Sequence, residues 1–130
     1  MLRQCYRFFG DNQTIEKETI SDLDKGFVSR FKSLVEERMK DAELNVEDLG
    51  RNMGMSRVQL YRKLKSLTNY SPNELLRQMR LKKAASLLAS SDMTVAEIAY
   101  EVGFSSPSYF TKCYKEQFGE SPTEFLKRRG

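Results

Sequence analysis

The sequence lacks histidine and tryptophan and contains only two cysteines and three prolines in 130 residues. Without histidine, the commonest general base and the commonest metal ligand are excluded. Cys5 and Cys113 form neither a CxxC motif nor a zinc-type spacing, which favours a reduced, cytosolic setting. No apolar run approaches the roughly 20 residues that span a bilayer, and the first ten residues lack the apolar region of a signal peptide. We therefore expect a cytoplasmic protein without metal, cofactor or membrane contact in this fragment.

The basic residues are concentrated in one part of the chain. Residues 1–45 carry 8 basic and 9 acidic side chains, whereas residues 46–130 carry 14 basic and 9 acidic side chains, a net charge of +5. A basic excess of this kind fits a polyanionic partner such as nucleic acid. Charge alone, however, favours an ordinary solvated surface over a polyanion-binding one.

Helix-capping patterns divide the chain into about seven helices. Apolar residues at helical spacing predict a first helix from Ser21, and residues 1–20 have no periodicity and are interpreted as a linker or tag-like tail. Six further helix starts are predicted by N-cap residues, most with an acid or glutamine three positions later: Asn45, Ser56, Ser71, Thr94, Ser106 and Ser121. The sequence therefore predicts an all-α domain over residues 21–130.

The two halves of this domain repeat one another. The stretch from Val46 matches the stretch from Val95 at an offset of 49, and the offset becomes 50 after Ser106. Each half is a short helix, a turn containing Gly54 or Gly103, and a longer second helix, which is the helix-turn-helix outline. We predict the first unit at about 45–69, a linker helix at about 71–89, the second unit at about 94–119 and a final helix at about 121–129.

The second helix of each unit combines an apolar face with a face that suits DNA. The predicted core residues are Leu60, Leu64 and Leu67 in the first unit, and Phe110, Tyr114 and either Cys113 or Phe118 in the second. The other faces mix cations, hydroxyl groups and one or two flat or apolar groups, as contact with phosphates and base edges requires. These candidate DNA-binding residues are Arg57, Val58, Tyr61, Arg62, Lys65, Ser106, Ser108, Thr111, Lys112 and Lys115.

The linker helix fits the same interpretation. Its ~19 residues span roughly 28 Å at the usual helical rise, and successive major-groove entries on one face of DNA are ~34 Å apart. Four of its cations are candidates to face phosphates: Arg77, Arg80, Lys82 and Lys83.

The sequence resembles the DNA-binding domain of AraC/XylS-family transcription regulators from about Phe27 to Arg129. The resemblance rests on "LNVEDLGRNMGMSRVQLYRKLKSLTNYSP" and on "TVAEIAYEVGFSSPSYFTKCYKEQFGESP". It is most similar to the output domains of hybrid two-component regulators, which implies a longer protein, free in the cytoplasm or anchored in the membrane. The family's base-contacting positions fall here on Val58, Tyr61, Arg62, Pro107, Ser108, Thr111 and Lys112, with Arg57 nearby. Many members have an arginine in place of Lys112, so we expect the second unit to read less base sequence.

The expected partners are double-stranded DNA and RNA polymerase, with no small-molecule ligand in this fragment and a monomeric isolated domain. The sequence offers no catalytic constellation, so an enzyme is not expected. A helical protein-interaction module without DNA affinity is the main alternative. RNA is a poorer fit, because A-form RNA does not offer a readable major groove.

Overall fold

The computed structural model describes residues 22–129, which form seven α-helices and no strand. The prediction of an all-α chain with about seven helices is therefore confirmed. No helix in this range is long and apolar enough to cross a bilayer. The predicted tail at residues 1–20 lies outside the described part. The helices are α1 (Asp22–Arg38), α2 (Val46–Asn52), α3 (Arg57–Thr68), α4 (Pro72–Ser90), α5 (Val95–Glu101), α6 (Pro107–Phe118) and α7 (Pro122–Arg129).

Side-chain caps fix where most of these helices begin. The Ser56 hydroxyl accepts a hydrogen bond from the Gln59 backbone N–H at 3.1 Å, and the Gln59 side chain accepts one from the Ser56 N–H at 2.9 Å. The same reciprocal pair forms at the starts of α4, α5 and α7. At α2 and α6, Asn45 and Ser106 each accept one backbone N–H without the return bond. Each cap satisfies amides that the first helical turn leaves without a partner.

The chain divides into two compact units. The first contains residues 22–37 and 44–76 of the described chain, and the second contains residues 38–43 and 77–129. The first unit buries one apolar face from each of its helices, among them Phe31, Leu49, Leu60, Leu64 and Leu75, all fully buried. Thr68 is the buried polar residue among the described ones, and its hydroxyl donates to the Leu64 carbonyl at 2.8 Å.

The second unit has a core rich in aromatic residues. Phe104 packs edge-on against Phe110 with ring centroids 5.3 Å apart, and Phe110 lies 5.8 Å from Tyr114. Of the two alternatives for the remaining core position of α6, Cys113 is buried and Phe118 is 41% exposed. One side of α6 packs on this core through Phe110, Cys113 and Tyr114, and the opposite side of the helix is not part of the core.

Arg80 does not have the surface position that the sequence suggested. Its guanidinium is partly buried and donates to two backbone carbonyls, Nε to Met39 at 3.1 Å and Nη2 to Asp41 at 2.8 Å. Burial lowers the pKa of this guanidinium from its usual value, and the charge of Asp41 acts in the opposite direction. The expectation that Arg80 faces phosphates was wrong, because its donors are used to hold the connector between α1 and α2.

Candidate nucleic-acid interface

Both helix-turn-helix units make the same turn. In the first, the Gly54 N–H donates to the Arg51 carbonyl at 3.2 Å and the Met55 N–H to the Gly50 carbonyl at 2.8 Å. In the second, Gly103 and Phe104 donate in the same order to Tyr100 at 3.1 Å and Ala99 at 2.9 Å. This pair of bonds is the Schellman motif, and it requires a left-handed residue after the helix. Gly54 and Gly103 have φ of 71° and 98°, so the repeat predicted from the sequence is a repeat of backbone geometry.

A second small residue is needed within each first helix, and the sequence interpretation missed it. A Cβ atom at Gly50 would lie 2.8 Å from the Met55 carbonyl oxygen, because the turn passes close over α2. The 49-residue offset pairs Gly50 with Ala99, which is completely buried. The smallest side chains therefore recur where the turn approaches the helix, and the repeat alignment contained that signal.

The candidate residues of α3 lie on one exposed side of the helix. Positions 57, 58, 61, 62 and 65 recur at the spacing of one helical face, and all five are exposed. Val58 and Tyr61 are 57% and 46% exposed although they are large and apolar or flat. The opposite side of α3 is buried through Leu60, Leu64 and Thr68. The structure thus brings Arg57, Val58, Tyr61, Arg62 and Lys65 together on a surface that we call the α3 face.

The equivalent positions of α6, each 50 residues later, form a second surface. Ser108, Lys112 and Lys115 are exposed, whereas Pro107 and Thr111 are partly buried. Ser106 precedes the helix, and its hydroxyl accepts the Tyr109 N–H at 3.2 Å, which leaves the hydroxyl proton free to donate elsewhere. The α6 face comprises Ser106, Pro107, Ser108, Thr111, Lys112 and Lys115. It carries smaller side chains and fewer cations than the α3 face.

The cations of the two faces are available to a partner. Within residues 22–129, no carboxylate forms a salt bridge with Arg57, Arg62, Lys65 or Lys112. Lys63, on the flank of α3, differs from them. Its ammonium lies 3.4 Å from an Asp24 carboxylate oxygen and 5.2 Å from the centre of the Phe27 ring. Lys63 therefore joins α1 to α3, and the exposed cations beside it remain available for phosphates.

Tyr109 lies beside the α6 face and was not among the sequence candidates. It is 51% exposed, and its ring is 6.1 Å from that of Phe104. The pKa of its phenol is raised, first by a side-chain hydrogen bond with Cys113. A flat, half-exposed side chain with a hydroxyl group at the edge of a basic helix suits contact with a sugar or a phosphate.

Comparison with known proteins assigns this architecture to a family. The sequence profile of a helix-turn-helix domain family matches residues 49–128. Histidine kinase P4 of Formosa agariphila is 37% identical over 110 residues, which are 85% of this chain and 8% of that protein. The Msm operon regulatory protein of Streptococcus mutans is 34% identical over 133 residues, covering 98% of this chain and 47% of that protein. The chain thus spans less than half the length of these two relatives.

The fold is shared with a domain whose crystal structure includes DNA. The DNA-binding domain of AdpA, a global transcriptional factor solved in complex with a target DNA, aligns with a TM-score of 0.72 and 30% identity. The alignment covers 77% of this chain and 89% of the AdpA chain. The chain belongs to the AraC-type helix-turn-helix family and is a DNA-binding domain of that type, and a domain of this type is not an enzyme.

Proposed function

We propose that this chain inserts α3 and α6 into two successive major grooves of double-stranded DNA and reads base sequence mainly through the α3 face. The supporting observation is that two helix-turn-helix units share the same turn geometry and present equivalent positions of α3 and α6. Positions 57, 58, 61, 62 and 65 are all exposed, and of their equivalents 108, 112 and 115 are exposed whereas 107 and 111 are partly buried. An arginine such as Arg62 makes bidentate contacts with guanine, whereas a lysine contacts phosphate as a point charge. The smaller and less basic α6 face would add more backbone affinity than base discrimination.

The chain is proposed to be the output module of a longer regulator. Support comes from the two relatives described above, of which this chain covers 8% and 47%, and the first of which is a histidine kinase. A signal received elsewhere in such a protein would control DNA binding by this module in the cytoplasm. RNA polymerase is the proposed second partner, reached through surfaces other than the α3 and α6 faces, and the isolated module is proposed to be monomeric.

Selection of binding sites from random duplexes by the purified 130-residue chain tests this function. The expected result is one enriched sequence with two conserved blocks about one helical turn apart, the block read by α3 being the more strongly conserved. Arg62→Ala should change the enriched sequence only within that block. Failure to enrich any sequence, combined with capture of a protein partner, would instead favour a protein-interaction module.

A further inference from the structure

Most of the connector between α1 and α2, residues 39–43, belongs to a different unit from α2 and from all of α1 except its last residue. Residues 38–43 belong to the second unit, whereas residues 22–37 before them and 44–76 after them belong to the first. The chain therefore passes between the units on both sides of the connector and once more within α4, between Leu76 and Arg77. The connector is therefore part of the second unit, while the chain on either side of it continues into the first.

Arg80 is the side chain that holds this connector. Nε and Nη2 of one guanidinium donate to the carbonyls of Met39 and Asp41 at 3.1 and 2.8 Å. The carbonyls that follow the end of a helix such as α1 have no intrahelical partner. The guanidinium satisfies two of them because its N–H donors have a fixed fork geometry, which a lysine ammonium lacks.

Two further features place the connector against the turn that precedes α6. Gly103 accommodates the connector backbone so closely that a Cβ atom there would lie 1.9 Å from the Met39 carbonyl oxygen and 2.7 Å from Arg80 Nε. On the exposed side, Lys40 Nζ lies 3.0 Å from Glu101 Oε1, at the end of α5. The connector thus contacts the turn that orients the second recognition helix.

We propose that Arg80 is a positioning residue for DNA binding, which couples the two units by fixing the connector to the turn before α6. The proposal rests on the proposed function, in which each unit enters its own groove. Two linked binding modules gain affinity according to how well their link matches the span between their sites, and a stiff matched link gives the largest gain. Release of the connector would leave α4 as the remaining link. The affinity of the chain for DNA would then depend less on the spacing between the two half-sites.

The test compares three duplexes: the selected site, the same site with three base pairs inserted between its two blocks, and a site with only the α3 block intact. The 130-residue chain should prefer the selected site over the lengthened one by at least about tenfold. Arg80→Ala and Arg80→Lys should reduce that preference at least about threefold while binding the single-block site as the unaltered chain does. Lys83→Ala, which removes an exposed cation from the same helix, should weaken all three duplexes equally and keep the preference.

The Arg80 proposal and the two-groove function fail in different ways in this test. Unchanged spacing preference in Arg80→Ala would overturn the proposal, and so would an equal loss on all three duplexes, because that pattern belongs to a general phosphate contact. If Arg80→Ala does not fold, the spacing preference is measured instead with Arg80→Lys and with an insertion of two glycines after Ala42, because both changes should loosen the attachment of the connector. If the unaltered chain itself binds the single-block and selected sites equally, the two-groove function is wrong, and this proposal falls with it.

Discussion

At the scale of single residues, Gly54 and Gly103 occupy equivalent turns but have different surroundings. Both have positive φ, but a Cβ atom at Gly54 meets nothing within 4 Å, whereas one at Gly103 lies 1.9 Å from the Met39 carbonyl oxygen. We predict that Gly54→Ala lowers the free energy of unfolding by about 1–2 kcal/mol, the cost of a left-handed residue. Gly103→Ala should cost on the order of 3–5 kcal/mol, because the backbone must also move. Urea denaturation of both variants checks this, and equal losses would mean that the connector does not press on Gly103.

Under the proposed function, α3 and α6 are expected to contribute unequally to base selection. Arg62→Ala should cost about 1–3 kcal/mol on the best site and relax the preference at one base pair, most directly a guanine. Lys112→Ala should cost less and weaken all sequences evenly, because a lysine contacts the backbone as a point charge. Competition titrations with single-base variants of the site measure both effects. Lys25→Ala, which removes an exposed cation from α1, is the charge-matched control and should change no base preference.

Single-residue roles divide into those that local sequence determines and those that depend on distant packing. Gly54 and Gly103 were predictable, because a helix that ends before a tight turn needs a residue with positive φ. Arg80 was not, because its partners at Met39 and Asp41 lie about 40 positions earlier in the chain. From sequence alone it was one of four cations on a linker helix. Its use as a backbone clamp becomes visible only in the folded second unit.

At the scale of helices, the N-cap residues allowed the helix starts to be predicted from the sequence. Ser56, Ser71, Thr94 and Ser121 were predicted as N-caps, and each accepts the backbone N–H three residues later. Side-chain burial within a helix was less predictable, because it depends on the neighbouring elements. On α3 the periodicity favoured Leu67 as a core residue, but it is only partly buried, whereas Thr68 is fully buried. Which residues of the α3 and α6 faces contact DNA stays a prediction.

The capping box of α7 should make stability depend on pH. The pKa of Glu124 is lowered, first by the hydrogen bond from the Ser121 backbone N–H and then by Lys115. A lowered folded-state pKa means that this carboxylate stabilises the fold above its unfolded pKa of about 4.3 and loses that effect as the pH falls through the folded value. The melting temperature of the chain should therefore exceed that of Glu124→Gln at pH 6, and the difference should shrink towards pH 3.

The α3 capping box provides the converse variant. Gln59 stands where α7 has a glutamate, so this box does not titrate. Gln59→Glu should gain stability at pH 6 relative to pH 3, because a carboxylate is favoured at the positive end of a helix. If the difference in stability between each variant and the unaltered chain did not change with pH, the capping carboxylates would not contribute to stability through their ionisation.

At the scale of the whole molecule, the net charge predicts how salt affects DNA binding. Residues 46–130 carry a net charge of +5, and several cations of the α3 and α6 faces have no acidic partner among the described residues. With roughly 6–8 phosphates contacted, log K should fall with log salt at a slope of about −5 to −7. Titrations between 50 and 200 mM salt measure it, and Lys65→Ala should reduce the slope by about 1. A flat dependence would favour the protein-interaction alternative.

One chain carries two helix-turn-helix units, so under the proposed function a single copy should suffice for a complete site. A protein with one reader per chain needs a symmetric dimer and a palindromic site, whereas two readers in one chain need neither. With groove entries ~34 Å apart, one copy should protect on the order of 17–20 base pairs without inverted symmetry. Light scattering of the free chain and footprinting of one minimal site test this together. A monomer on an asymmetric footprint is the expected result. A stable dimer of this chain that protects a palindrome would show that each copy inserts only one helix. That result would refute the two-groove arrangement but would still agree with a DNA-binding function.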